Sequence, residues 1–388
     1  MLKKITIIVL SIFFINIYSQ SLGHSVKLQG NLKQLQKFYN DLKQCKNKKV
    51  RIAHFGDSIL QGDVLTEYTR DFLQSKYGGK GIGFVDVFST ANKMRKSIVH
   101  DYYGDWEHFA INSRNPNKIP VGISGSVVKP KKNAKVLFRK SDYLKNSASF
   151  STVKFYYGLG NSSAKLIYQF NDLPKKSVLL NKTDVVNEIS LKANNADKLK
   201  LEFENAADVL AYGCSFEKNS GVYVDNFPVS GNSGVSLLNI PDKVLKMFAK
   251  YFDYSLIILN YGVNVSTPNP ASFKVYEHKM VKVIKYLKKY FPNAGIILVS
   301  VADKTVRRNG KFVTDVNIPR LLKTQMKIAK RAKVAFWNLF EAMGGKNSMN
   351  KWVNHAPPFA LKDYTHFTHA GGKRVAELFV EALLKQKK

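Results

Sequence analysis

The spacing of apolar residues changes character along the chain. Leu32, Leu35, Phe38 and Leu42 recur at helical spacing, Val50 to Phe55 form a short apolar run, and Leu65, Tyr68 and Phe72 return to a helical stripe. Asp63 is placed to cap that second helix and Gly78-Gly79 to stop it. From about His100 to Val224 the helical period gives way to short β-rich runs between turn residues: Lys135 to Phe138, Val153 to Tyr157, Lys165 to Phe170, Val185 to Leu191, Leu199 to Phe203 and Val209 to Phe216. Such a series predicts a β-sandwich or jelly roll. After about Ser230, buried-looking strands at Ile257 to Asn260, Ile296 to Val301 and Val334 to Trp337 alternate with helices at Ser272 to Phe291, Ile318 to Arg331 and Ala370 to Leu384.

Strand-helix alternation on both sides of a β-rich block predicts an α/β domain, 20–99 and 225–388, interrupted by an inserted β-sandwich domain at 100–224. The first 19 residues have the form of a signal peptide: Lys3 and Lys4, then an apolar run from Ile5 to Ile17, then Ser19 and Gln20 at a plausible cleavage point. An uncleaved anchor is the alternative, but the run falls short of the ~20 residues that span a bilayer. No later segment is apolar for long enough to span. The expectation is an exported protein, periplasmic or extracellular, with no transmembrane segment once mature.

A length of 388 residues, 45% hydrophobic and 23% charged, is that of a globular chain and excludes disorder. The net charge of +33 favours anionic partners, and export directs that preference to an acidic glycan, a cell-wall polymer or a lipid surface rather than to nucleic acid. Lysines spread over solvated faces account for the same number. Runs such as Lys129 to Lys135 lack the interleaved aromatics of a nucleic-acid platform. With only Cys45 and Cys214, the chain is neither a disulfide scaffold nor a thiolate metal site, and whether the two pair is open. No GxSxG elbow, HExxH site, P-loop or GxGxxG after a strand occurs.

Four short motifs carry candidate chemistry. His54-Phe55-Gly56-Asp57-Ser58-Ile59 lies where a strand ends, the place functional groups collect in an open parallel sheet. In Asp363-Tyr364-Thr365-His366 the Asp can curl back to hold the imidazole Nδ1–H, leaving Nε2 to take a proton from a serine. Tyr261-Gly262-Val263-Asn264 follows a buried strand and offers a carboxamide donor for an oxyanion. Ser230-Gly231-Asn232-Ser233-Gly234 offers a backbone N–H for the same purpose. Each alone also reads as an ordinary turn or helix cap. His54 and His355 read as packing or loop histidines, and His369 lies beside the motif at His366. Tyr156-Tyr157, Tyr168 and Phe170 fit either a sugar-stacking surface or a core.

In this order and context the motifs resemble the SGNH (GDSL-like) hydrolases across most of the mature chain. The resemblance implies a flavodoxin-like three-layer α/β/α domain with Ser58 as nucleophile, His366 as general base and Asp363 as its orienting carboxylate. It also implies an oxyanion hole from Gly231, Asn264 and the Ser58 amide, with no cofactor and no metal. Ile59 stands where the family often has leucine, and the residues around Gly231 match the glycine block least sharply.

The β-rich insert, Val222-Tyr223-Val224-Asp225-Asn226, and Phe336-Trp337-Asn338-Leu339-Phe340-Glu341-Ala342-Met343-Gly344-Gly345 resemble the narrower group of periplasmic peptidoglycan O-acetylesterases. In those the insert is a carbohydrate-binding-like β domain. The expected partner is therefore an acetylated glycan, peptidoglycan first, and the expected reaction is removal of O-acetyl groups through an acetyl-Ser58 intermediate. A polysaccharide O-acetyltransferase using the same triad, a lipid-directed esterase and an inactive glycan-binding protein are the rival readings. Oligomeric state has no signature in the sequence.

Overall fold

The computed structural model describes residues 22–147, 150–158, 163–265 and 271–385, so the leader expected at 1–19 lies outside the described residues. A six-stranded sheet runs in the order Gln29–Gly30, Ala335–Trp337, Gly295–Val299, Leu256–Asn260, Lys49–Gly56, Gly221–Pro228. All pairings are parallel except that of the short edge strand Gln29–Gly30. Numbered along the chain, the parallel strands stand in the order 2-1-3-4-5, the flavodoxin-like arrangement, with its topological switch between Lys49–Gly56 and Leu256–Asn260. Ile257, Ile258, Leu259, Ile296, Ile297 and Leu298 are fully buried, as strands covered on both faces must be.

Amphipathic helices supply that cover. Asn317–Ala332 turns Ile318, Leu321, Ile328 and Ala329 inward, packs on Ala271–Tyr290, and ends at a left-handed Lys333. Thr66–Tyr77 stops at Gly78, as predicted, and packs on the last helix, His369–Leu384. Asp63 does not cap it. That residue closes a 3₁₀ segment, Ser58–Asp63, in a left-handed conformation, and its buried carboxylate pairs with Arg70 and Arg95. Charge pairing in a dry setting has displaced the capping role that its position suggested.

The β-rich stretch forms two antiparallel sheets. One orders Lys176–Leu179, Lys165–Phe170, Lys198–Glu204, Lys135–Lys140 and Ile98–Tyr103; the other orders Asn187–Ala196, Phe150–Gly158, Leu210–Glu217, Ser126–Pro130 and Trp106–Ala110, with Gly83–Asp86 also on Leu210–Glu217. Alternate residues such as Val136 and Phe138 from the first meet Val153, Phe155 and Phe216 from the second in one core, with the Phe138 and Phe216 rings 5.0 Å apart. Tyr156, Tyr157 and Phe170 are buried and belong to the core, whereas Tyr168 is half-buried and lines a surface groove beside Phe170.

The antiparallel series thus begins at Gly83, earlier than the sequence suggested, because GFVD is too short and too uniformly buried to show a period. Gly221–Pro228 belongs instead to the central sheet, in register with Lys49–Gly56 throughout. Cys45 and Cys214 are buried and no disulfide joins them. Among the described residues, no helix is long and apolar enough to cross a membrane.

Candidate active site

Three neighbouring strands end side by side: Pro228 and Asn260 both stand opposite Gly56. The loops leaving these ends carry Gly231, Ser58 and Asn264. Gly56 is required by close approach, since a Cβ there would lie 2.7 Å from the Asn260 carbonyl oxygen. Asp57, fully buried, then accepts the Ile59 N–H at 3.0 Å and the Gly262 N–H at 3.2 Å, fixing the turn at Ser58 against the turn before Asn264. Burial pushes the Asp57 carboxyl up to about 6, against the pull of those N–H donors.

His366 bridges the other two members of the predicted triad. Its Nε2 is 2.8 Å from Ser58 Oγ and its Nδ1 2.7 Å from Asp363 Oδ2. The second Asp363 oxygen accepts the backbone N–H groups of Thr365 and His366 at 2.9 and 3.0 Å, which curls the loop back on itself. Burial raises the Asp363 pKa, but these donors and the imidazole outweigh it and hold the carboxyl below its ordinary value. An ionised Asp363 fixes the proton on Nδ1 and leaves Nε2 as the acceptor facing the serine.

The two remaining predicted residues also converge here. Asn264 Nδ2 donates to the Asn232 carbonyl at 3.3 Å, and Asn112 Nδ2 from the antiparallel sheets donates to the Ser230 carbonyl at 2.8 Å, so Gly231 is held between two anchored neighbours. Gly231 has a left-handed φ of 74°. Among the described residues, neither the Ser58 N–H nor the Gly231 N–H makes a protein hydrogen bond. Two of the other histidines pack within the fold: His54 is buried on Thr66 Oγ1, with burial lowering its pKa to about 3, and His355 stacks on Phe359. His369 Nδ1 lies 2.6 Å from buried Glu67 and ties the last helix to Thr66–Tyr77.

Three positioning features escaped the sequence reading. Asn226 donates to the Leu60 carbonyl and accepts from Thr66 Oγ1, bracing the segment that starts at Ser58. A cleft of about 170 Å³ beside the Gly231 loop is lined by Gln61, Asp86, Phe88, His108 and Asn112. A hairpin of Thr305–Arg308 with Lys311–Thr314 abuts Tyr364, and its signal was in plain view as Asn309-Gly310, the pair favoured in a two-residue hairpin turn. A larger groove of about 580 Å³ at Gly30, Met326 and Phe336 lies on the far edge of the central sheet and contains no candidate nucleophile.

A serine bonded to a histidine that a carboxylate orients, at the switch point of a parallel sheet, is the geometry of serine-nucleophile acyl transfer. The fold matches a solved structure described as "Peptidoglycan O-acetylesterase in action, 5 min", at 20% identity and a TM-score of 0.75, over 93% of this chain and 99% of that one. At that identity the likeness establishes the fold, which includes the flavodoxin-like sheet implied by the resemblance.

Partial overlaps are found with an acetyl xylan esterase (19% identity, TM-score 0.32, 42% of this chain and 80% of that one) and a family two carbohydrate esterase from Cellvibrio japonicus (10%, 0.27, 75% and 98%). No protein-family model matches the sequence, and no curated protein does.

Proposed function

We propose that this protein is an exported serine esterase that removes O-acetyl groups from an extracytoplasmic glycan, with peptidoglycan the first substrate to test. The observation that carries the reading is the unbroken relay from Asp363 through His366 to Ser58, at 2.7 and 2.8 Å. The whole-chain likeness to a peptidoglycan O-acetylesterase and the leader-like 1–19 direct the choice of substrate and compartment.

In the proposed cycle Ser58 Oγ attacks the acetyl carbonyl while His366 Nε2 takes its proton. The N–H groups of Ser58 and Gly231, with the second amide hydrogen of Asn264, receive the oxyanion. The sugar alkoxide leaves with the proton from His366, and water, activated by the same imidazole, hydrolyses acetyl-Ser58. We assign the two antiparallel sheets to an inserted β-sandwich domain whose Asn112 reaches the oxyanion loop and whose Phe88 and His108 wall the adjoining cleft.

The test is acetate release from O-acetylated peptidoglycan, acetylated xylan and p-nitrophenyl acetate. Ser58→Ala should lower kcat/KM by at least ~10⁴-fold without moving the unfolding midpoint. Near-normal turnover in Ser58→Ala would remove the triad assignment. Wild-type protein inert towards all three esters would remove the esterase.

A further inference from the structure

The hairpin 305–314 holds an arrangement that folding alone does not favour. Arg308 stands directly opposite Lys311 across the Asn309-Gly310 turn, and like charges in register on paired strands destabilise the pairing. Lys304 precedes the hairpin, Arg307 lies within it, and Lys362 lies one residue before Asp363. None of these five cations makes an ion pair among the described residues. On the antiparallel sheets Lys131, Lys135, Lys140, Lys154, Lys175 and Lys198 each reach a carboxylate, while Lys129, Lys176, Lys192 and Lys200 have no ion pair among the described residues, so what distinguishes the hairpin is its like-charge register and its contact with the triad loop.

The hairpin is also fastened to the catalytic loop. The Thr305 N–H donates to the Tyr364 carbonyl at 3.1 Å, and the Phe312 ring, still 39% exposed, stacks on Tyr364 at 4.1 Å and 12°. Tyr364 sits between Asp363 and His366 in a left-handed conformation, φ 56°. Arg307 is the register partner of Phe312, so the two project from the face laid against the triad loop, while the next pair, Arg308 and Lys311, projects from the opposite face at the tip. At the base, Thr314 Oγ1 donates to buried Asp303, whose other oxygen accepts the Met349 N–H, anchoring the hairpin in the α/β core. An arm whose arginines and Lys311 make no ion pair among the described residues therefore borders the triad loop at Tyr364.

We infer that the hairpin 305–314 is a docking arm for carboxylate groups on the polymer that carries the scissile ester, which makes the site selective for anionic over neutral ester polymers. The inference rests on the ester-hydrolase reading of the triad for its substrate, but its test reads binding separately from turnover. Departures from local rules of this kind mark functional positions, and the charge left unpaired on the arm is the complement of a polyanion.

The experiment compares the triple variant Arg307→Ala, Arg308→Ala, Lys311→Ala with Lys279→Ala, Lys282→Ala, Lys285→Ala, which removes the same charge from the exposed face of the helix Ala271–Tyr290. Each is co-sedimented with peptidoglycan sacculi and with insoluble neutral xylan at low and high salt, and assayed on p-nitrophenyl acetate. The hairpin variant should lose ~10-fold in affinity for sacculi at low salt, while the helix variant stays within ~2-fold; screening should erase the difference at high salt. Turnover of p-nitrophenyl acetate should be unchanged in both. Equal losses in the two variants, or no loss in the hairpin variant, would overturn the docking arm even if the protein proves an esterase. Hairpin-dependent binding by a wild-type protein that releases no acetate would retire the esterase reading and leave the arm in place.

Discussion

At the scale of single residues, the site joins two carboxylates with opposite tasks. Asp363 is held ionised by the donors around it, whereas Asp57 sits in the dry interior and is pushed up to about 6. Because the folded pKa of Asp57 exceeds its ordinary value near 3.8, the native state binds the extra proton between those limits. Its contribution therefore favours folding at low pH and is lost as pH rises from about 4 to about 6. Replacing it by Asn removes the titration. Urea unfolding across pH 4 to 7 should show the wild-type stability falling relative to Asp57→Asn by roughly 2–3 kcal/mol through that window, then running parallel above it. A constant difference across the range would mean that Asp57 titrates normally. Asn264 supplies the other residue-scale prediction: Asn264→Ala should lower kcat on p-nitrophenyl acetate by ~10²–10³-fold with little change in KM, the pattern of a donor used in the transition state.

At the scale of elements, the position of His366 depends on how the last helix seats. Thr368 caps that helix by accepting the Gly371 N–H, and Gly372 lies so close to the preceding segment that a Cβ would fall 1.9 Å from the Val64 carbonyl oxygen. Gly372→Ala must push His369–Leu384 away from Thr66–Tyr77, stretching the His369–Glu67 contact and the loop that bears His366. We expect a loss of about 1–3 kcal/mol in urea denaturation, together with a fall in kcat; unchanged kinetics would show that the triad loop is held independently of the helix. The helices at Ala271–Tyr290, Asn317–Ala332 and His369–Leu384 were legible in the sequence within a residue or so of their ends, because each has one apolar face repeating at 3.6 residues. The hairpin 305–314 was not recognised despite its Asn-Gly turn, since its strands present Arg, Lys and Phe to solvent and show no buried stripe.

At the scale of the whole molecule, the antiparallel sheets are locked to the central sheet by a buried charge cluster. Arg51 on the central strand Lys49–Gly56 reaches Asp225 at 2.7 Å and Glu217 at 2.9 Å, and Asp225 also accepts the Phe84 N–H and the Tyr254 hydroxyl. Both carboxylates and the guanidinium are almost wholly inaccessible. Asp225→Ala would leave a guanidinium half-paired in the interior and strand two further donors, so it should cost about 3–5 kcal/mol, read as a shift in the urea midpoint. A smaller effect would mean that water enters to replace the carboxylate.

Local pattern determined the elements and most of the chemistry. Period and turn residues mark the α/β alternation and most of the antiparallel strands, and GDS, GxN and DxxH name Ser58, Asn264, Asp363 and His366. These features were legible because backbone preference and each separate motif belong to short stretches of chain, although only the fold brings Ser58 to His366, 308 residues away. Tertiary structure alone decided that Asp63 is an ion-pair partner and not a cap, that Gly221–Pro228 completes the central sheet, and that the charged hairpin lies against the triad loop. Each of those outcomes turns on which distant groups share a low-dielectric interior or a common strand end, and no local period encodes such contacts.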